Sequence, residues 1–167
     1  MRTGERLKNK KGRRFIIIYC CAVCILGTAA CIGIKTLGLY MVVGESMYDT
    51  LPDGELVCTK SNFTEEDLTA GTIVCIKTDE DKTIIKRIVA VGGDTVSALD
   101  GWLYINGKAY IYSASTEDFG SFTLAEDEYY VLGDNIDVSR DSRYYGPFTF
   151  DDIEAIVTKS LFKGEIY

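Results

Sequence analysis

Hydrophobic and polar positions fall into two regimes along this chain. Residues 15–34, FIIIYCCAVCILGTAACIGI, run for twenty positions without a charge. At about 1.5 Å per residue such a run spans the roughly 30 Å hydrocarbon core of a bilayer, so the pattern predicts a transmembrane helix over 15–34. Beyond it the apolar positions come in short runs rich in β-branched and aromatic residues, bounded by Gly, Asp and Asn, and this predicts a mainly β body. The predicted strands are 39–44, 55–60, 72–78, 83–91, 94–98, 102–105, 109–112, 128–132 and 154–162.

Two turns are explicit. Asp100-Gly101 and Asn106-Gly107 are dipeptides that supply positive φ in tight hairpins, so SALDGWLYINGKAYIY is expected to fold as hairpin structure. A helical turn is expected at 64–70, where Thr64 precedes Glu65-Glu66-Asp67. Residues 113–121, SASTEDFGS, read as a polar surface loop. With two prolines in the chain and no low-complexity tract, no interdomain linker is visible.

Charge sharpens the division. Of the overall −7, residues 1–34 carry seven Lys/Arg against one acidic side chain, leaving −13 on residues 35–167. Arg2, Arg6, Lys8, Lys10, Lys11, Arg13 and Arg14 all precede the apolar run, which places residues 1–14 in the cytoplasm and the body across the membrane. The expected organisation is a basic tail (1–14), a membrane helix (15–34) and one extracytoplasmic domain (35–167). A cleaved secretory signal is the competing reading, but its apolar core spans only about 7–15 residues. The small residues Gly27-Thr28-Ala29-Ala30 could equally mark a helix contact. The acidic body would repel phosphate, so no nucleic-acid partner is expected.

Cys58 and Cys75 lie in the β-like runs ELVCTK and GTIVCIKT. A bridge between paired strands and two buried thiols are both open, with thiols favoured because free Cys behaves as a small core hydrophobe. The chain has no histidine, and with no pair of CxxC motifs no transition-metal site or other cofactor is expected.

Absence of histidine also limits nucleophilic chemistry. In GESMYDTLPDGE, Ser46 follows the apolar run closely, and an attacking serine here would need a base other than imidazole. A lysine held neutral by desolvation is one. The segment DKTIIKRIVAVGGD supplies Lys86, which shares a pleat face with Ile84 and Ile88, while Arg87 lies opposite with Ile85 and Val89. An edge-strand lysine that discourages aggregation is the other reading of Lys86. Arg87 would need carboxylate partners if buried. VLGDNIDVSRDSRYYGPF offers them among Asp134, Asn135, Asp137, Ser139, Asp141, Ser142 and Arg143. A solvated turn-rich loop or a calcium site would use the same acids, although Arg140 and Arg143 oppose a bound cation.

Three segments in order, GESMYDTL, IIKRIVAVGGD and GDNIDVSRDSRYYG, closely resemble the boxes of bacterial type I signal peptidases, in the compact Gram-positive form. The resemblance covers nearly the whole chain, including the anchor and the DGWLYINGK hairpin. It implies a mainly β fold, a β-barrel or complex β arrangement outside the membrane behind one N-terminal helix. It also implies a Ser/Lys dyad that removes signal peptides from exported preproteins at Ala-x-Ala sites. By that resemblance Ser46 is the nucleophile and Lys86 the general base. Ser139 is the expected hydrogen-bond partner of Lys86, and Asp134, Asp141, Arg143 and Arg87 form the charged framework. Val43, Met47, Leu51 and Ile85 match positions lining shallow apolar substrate pockets, and core packing is the other use for each. Gly44 stands where some relatives have a serine whose hydroxyl helps bind the oxyanion. Asp49 and Gly92 replace prolines, and Ile136 a polar or basic residue. Secretory preproteins and membrane lipid are the implied partners, and a monomer is expected. A self-cleaving repressor also pairs serine with lysine on a β scaffold, but a membrane anchor and a tail too short for a DNA-binding domain argue against one. A noncatalytic binding module is the third possibility.

Overall fold

The computed structural model describes residues 38–162 and the backbone of 164–165. The predicted tail and membrane helix lie outside the described residues. From Leu39 onward the described residues form one compact unit. In chain order its strands are β1 (Leu39–Met41), β2 (Leu56–Lys60), β3 (Ile73–Lys77), β4 (Thr83–Ala90), β5 (Thr95–Leu99), β6 (Trp102–Ile105), β7 (Lys108–Tyr112), β8 (Phe119–Thr123) and β9 (Glu128–Leu132). After one short helix, α1 (Ser142–Tyr145), come β10 (Phe148–Thr149), β11 (Ile153–Ser160) and β12 (Gly164–Glu165).

These strands form two antiparallel sheets. The larger runs β1-β2-β11-β3-β4-β9-β10, with β12 paired to β11, and the smaller runs β7-β6-β5-β8. The barrel expectation is corrected: among the described residues the larger sheet keeps two open edges, β1 and β10, and does not close. Bulges where β4 meets β9 and where β11 meets β2 and β3 break the register, and such breaks bend and twist a sheet locally.

β3 explains why the sheet has a core on each side. Its IVCIK sequence is apolar at consecutive positions and buried at four of them. Ile73 and Cys75 join Val42, Met47, Leu51, Val57, Ala155 and Val157 in one cluster. Val74 and Ile76 join Leu68, Ile88, Tyr129, Val131, Phe148 and Ile153 in another. A third cluster, with Val96, Leu103, Leu124 and Tyr130 at its centre, joins the small sheet to β9.

Both predicted hairpin turns form, with Asp100, Gly101, Asn106 and Gly107 all at positive φ. The helical turn is a 3₁₀ segment, Glu65–Asp67, where Asp67 accepts from the Thr64 N–H at 3.0 Å. The polar loop ends earlier than expected. Residues 119–123 are β8, whose Phe119 and Phe122 pack into the third core through an irregular register that breaks strict alternation. The run 39–44 ends as a strand at Met41, before Gly44 turns the chain at φ +94°. Cys58 and Cys75 are both free thiols. Their strands are not neighbours, since β11 separates β2 from β3 and pairs with both. Burial pushes the Cys75 thiol up to about 12.

Candidate active site

Ser46 sits in a turn whose far end is fixed by packing. Met47 and Leu51 are 1% and 0% exposed, and the Met47 carbonyl accepts from the N–H groups of Thr50 and Leu51 at 3.0 and 2.6 Å. The two buried side chains anchor the turn in the core, leaving half-buried Ser46 at the surface. The Asn135 N–H donates to the Ser46 carbonyl at 3.0 Å, tying this turn to the segment after β9.

Lys86 reaches the turn from β4. That strand lies between β3 and β9, so the edge-strand reading does not hold: Lys86 pairs with Val74 across the ladder and is 3% exposed. Its Nζ donates to Ser46 Oγ at 2.7 Å and to the Ile85 carbonyl at 2.9 Å. Desolvation lowers the Lys86 amine from 10.5 to about 8, against the opposing pull of Asp141 and Asp134. With the amine lowered to about 8, roughly a tenth of it is neutral at pH 7 and half at about pH 8, and a neutral amine in this contact can accept the serine proton.

The carboxylates are held by arginines. Arg87 makes a bidentate pair with Asp134, Nε to Oδ1 at 2.8 Å and Nη2 to Oδ2 at 2.7 Å. Its Nη1 donates to the Gly71 carbonyl at 2.7 Å and its Nη2 to Thr50 Oγ1 at 3.2 Å. Burial alone would raise the Asp134 carboxyl, but hydrogen bonds from Arg87 and Thr50 hold it below the usual carboxylate range. Asp141 is wholly buried and accepts from Arg143 Nε and Nη2 at 2.9 and 3.0 Å and from the Gly133 N–H at 3.1 Å. Arg143 Nη2 also donates to the carbonyls of Ile136 and Ser139, at 2.7 and 3.2 Å. Each carboxylate thus faces its own guanidinium, an arrangement unlike the oxygen cage of the calcium alternative.

Ser139 corrects one expectation. Its hydroxyl makes no hydrogen bond to Lys86; among the described residues it is buried without a partner, and it lies against Gly133. The four predicted pocket residues also separate. Val43 is 81% exposed and Ile85 is half-buried, whereas Met47 and Leu51 belong to the core beneath the turn and present no surface to a substrate. Large side chains four positions apart in a tight turn here face the core, the alternative left open for each.

Three further residues build the site: Thr50 and Gly133, which were not singled out in the sequence, and Ser142, which was named there only as one member of the acidic segment. Thr50 bonds to Arg87 and Asp134. Gly133 has no room for a Cβ, which would collide with Ser139 Oγ and the Ser46 carbonyl oxygen. Ser142 Oγ accepts from the Val131 N–H at 2.9 Å, joining the start of α1 to β9. Of the two not singled out, Gly133 carried a signal in sequence, being the glycine before the acidic box.

Residues 13–162 match the family model for signal peptidase, peptidase S26. This chain belongs to that family. A signal peptidase I of Bacillus licheniformis is 34% identical over 157 residues, covering 84% of each chain. Signal peptidase I V of Bacillus subtilis is 30% identical over 138 residues, covering 71% of this chain and 82% of its own. A solved signal peptidase I from Enterococcus faecalis V583 aligns with 54% of this chain and 96% of its own, at 27% identity and a TM-score of 0.45. Membership in a peptidase family gives the contact between Ser46 and Lys86 a chemical context.

Proposed function

We propose that the chain is a membrane-anchored serine endopeptidase that removes N-terminal signal peptides from exported preproteins, with Ser46 as nucleophile and Lys86 as general base. The observation that carries this reading is the 2.7 Å contact between Ser46 Oγ and a lysine that is 3% exposed. Neutral Lys86 takes the hydroxyl proton as Oγ attacks the scissile carbonyl. The tetrahedral intermediate collapses by breaking the C–N bond, and Lys86 gives its proton to the leaving amine of the mature protein. The signal peptide is left as an acyl ester on Ser46, and water activated by the same amine releases it. The Ser46 backbone N–H is the natural oxyanion donor, a type of group whose loss typically costs about 2.7–4 kcal/mol. Gly44 has no hydroxyl to add.

Arg87, Asp134, Asp141 and Arg143 keep the lysine strand and the segment after β9 in register with the serine turn, and Ser139 packs among them. The substrate is read as an extended strand with small residues at alternate positions, beside Val43 and Ile85. The apolar run 15–34 supplies the anchor, with residues 1–14 cytoplasmic and the body from 35 onward outside. Tethering raises the local concentration of cleavage sites emerging at the membrane. The test is digestion of a purified preprotein in detergent by wild type, Ser46→Ala and Lys86→Ala, with amino-terminal sequencing of the product. Cleavage after an Ala-x-Ala site by wild type alone supports the reading; equal processing by all three rejects it.

A further inference from the structure

The nucleophile turn and the lysine strand belong to distant parts of the sequence, yet the proposed chemistry needs their reacting atoms held at hydrogen-bond distance. Besides the Ser46–Lys86 contact itself, Thr50 of the turn hydrogen-bonds to the strand. Thr50, four residues after Ser46, accepts from Arg87 Nη2 at 3.2 Å and is hydrogen-bonded to the Asp134 carboxylate. Its own N–H closes the turn onto the Met47 carbonyl at 3.0 Å. Arg87 is the residue next to Lys86, and Asp134 is the residue next to Gly133, against which the Ser46 carbonyl is packed. One hydroxyl is therefore shared among the three segments that carry Ser46, Lys86 and the acidic box.

Met47 and Leu51 fix the depth of the turn in the core, but aliphatic contacts are non-directional, and the directional bond from the Asn135 N–H to the Ser46 carbonyl ties the turn to the acidic segment and not to the lysine strand. A hydroxyl that accepts from a guanidinium and bonds a carboxylate, both already locked to each other in a bidentate pair, is directional. We propose that Thr50 is a positioning residue whose hydroxyl sets the reach between Ser46 Oγ and Lys86 Nζ, acting on the chemical step and not on substrate binding. This rests on the Ser/Lys reading above.

The experiment compares full-length wild type, Thr50→Val, Thr50→Ser, Ser46→Ala and Lys86→Ala in detergent, on a fluorogenic peptide spanning an Ala-x-Ala signal-peptide cleavage site. Rates are normalised to the folded fraction from near-UV circular dichroism. Valine keeps the shape of threonine and removes the hydroxyl; serine restores the hydroxyl without the methyl. Because misplacing reacting groups by about 1 Å can cost about 100-fold, Thr50→Val is expected to lower kcat about 10- to 100-fold while KM changes by less than about 2-fold. Thr50→Ser is expected to recover most of that loss. An unchanged kcat in Thr50→Val, a loss confined to KM, or a Thr50→Ser variant as slow as Thr50→Val overturns the proposal. Any of these results with inactive Ser46→Ala and Lys86→Ala removes the Thr50 role alone, whereas full activity in those two removes the Ser/Lys reading itself.

Discussion

Lys86 Nζ and Ser46 Oγ meet at 2.7 Å although forty positions separate the two residues in the chain. The contact joins a surface turn to an interior strand, and its chemistry depends on which partner holds the proton. Desolvation favours the neutral amine, while Asp141 and Asp134 favour the ammonium. In the proposed mechanism these opposed influences make the rate a report on the charges around the lysine.

Activity is therefore expected to rise with pH through a limb at about 8, where Lys86 loses its proton. The Asp134→Asn variant removes one of the charges that hold the proton on and leaves Arg87 uncompensated nearby. Both changes disfavour the ammonium, so the limb moves to lower pH even as the maximal rate falls. A kcat/KM profile of each protein checks this. A limb that stays in place, or moves to higher pH, rejects the assignment of the titration to Lys86.

The same burial makes the lysine a cost to folding. Its amine is lowered in the folded chain from the ordinary 10.5 to about 8. Below about pH 8 folded and unfolded chains both hold the proton, and the folded state bears the full penalty of a buried ammonium. Between about 8 and 10.5 only the unfolded chain holds it, so stability climbs with pH until the penalty is gone. At pH 7 Lys86→Met is accordingly expected to be more stable than wild type by up to about 3 kcal/mol, and the gap closes as the pH rises through this window. Urea unfolding at pH 7 and pH 10 measures it. A variant less stable than wild type at pH 7 refutes the claim.

How much of this was visible in the sequence depends on the range of the interaction. The hairpin turns were legible because Asp-Gly and Asn-Gly state their own backbone geometry. Lys86 and Arg87 stood out because two adjacent cations interrupt an aliphatic run, and the absence of histidine directed attention to them. Resemblance then joined Ser46 to Lys86. Pairing across the sheet was not legible: β11 comes last among the long strands yet inserts between β2 and β3, so nothing near Cys58 or Cys75 reveals that their strands are not neighbours. Met47 and Leu51 were ambiguous for a related reason. An apolar side chain in a turn can face core or groove, and only tertiary packing decides. Thr50 was silent, since its partners lie 37 and 84 positions away.

Arg143 is expected to be the most costly of the framework residues to remove. Asp141 is wholly buried, and Arg143 provides the only cation paired with it among the described residues. Breaking a buried pair by deleting one partner leaves an uncompensated charge, typically at about 3–5 kcal/mol. Arg143→Met also frees the carbonyls of Ile136 and Ser139. Chemical denaturation of Arg143→Met should show a loss of about that size, whereas the double variant Arg143→Met/Asp141→Leu should recover part of it. No recovery would mean that the guanidinium serves the loop carbonyls and not the buried carboxylate.

Gly133 offers a test of how tightly the site is packed. Its φ is not in the left-handed region, so backbone strain gives no reason for a glycine there. Space does: a Cβ would collide with the Ser139 hydroxyl and with the Ser46 carbonyl oxygen. The neighbouring Asp134 and Asn135 are tied to Arg87 and to that same carbonyl, so the segment cannot retreat without drawing on the serine turn. Gly133→Ala should thus push Ser46 away from Lys86. Overpacking of this kind costs about 1–3 kcal/mol in stability, and on the proposed Ser/Lys mechanism the kcat loss is expected to reach about 100-fold because the displacement falls on the atoms that would react. Ser139→Gly, by removing the hydroxyl that the new methyl strikes, should restore part of the stability but little of the rate, since the collision with the Ser46 carbonyl persists. Equal recovery of both would show that Ser139 alone, and not the Ser46 turn, limits what this position can hold.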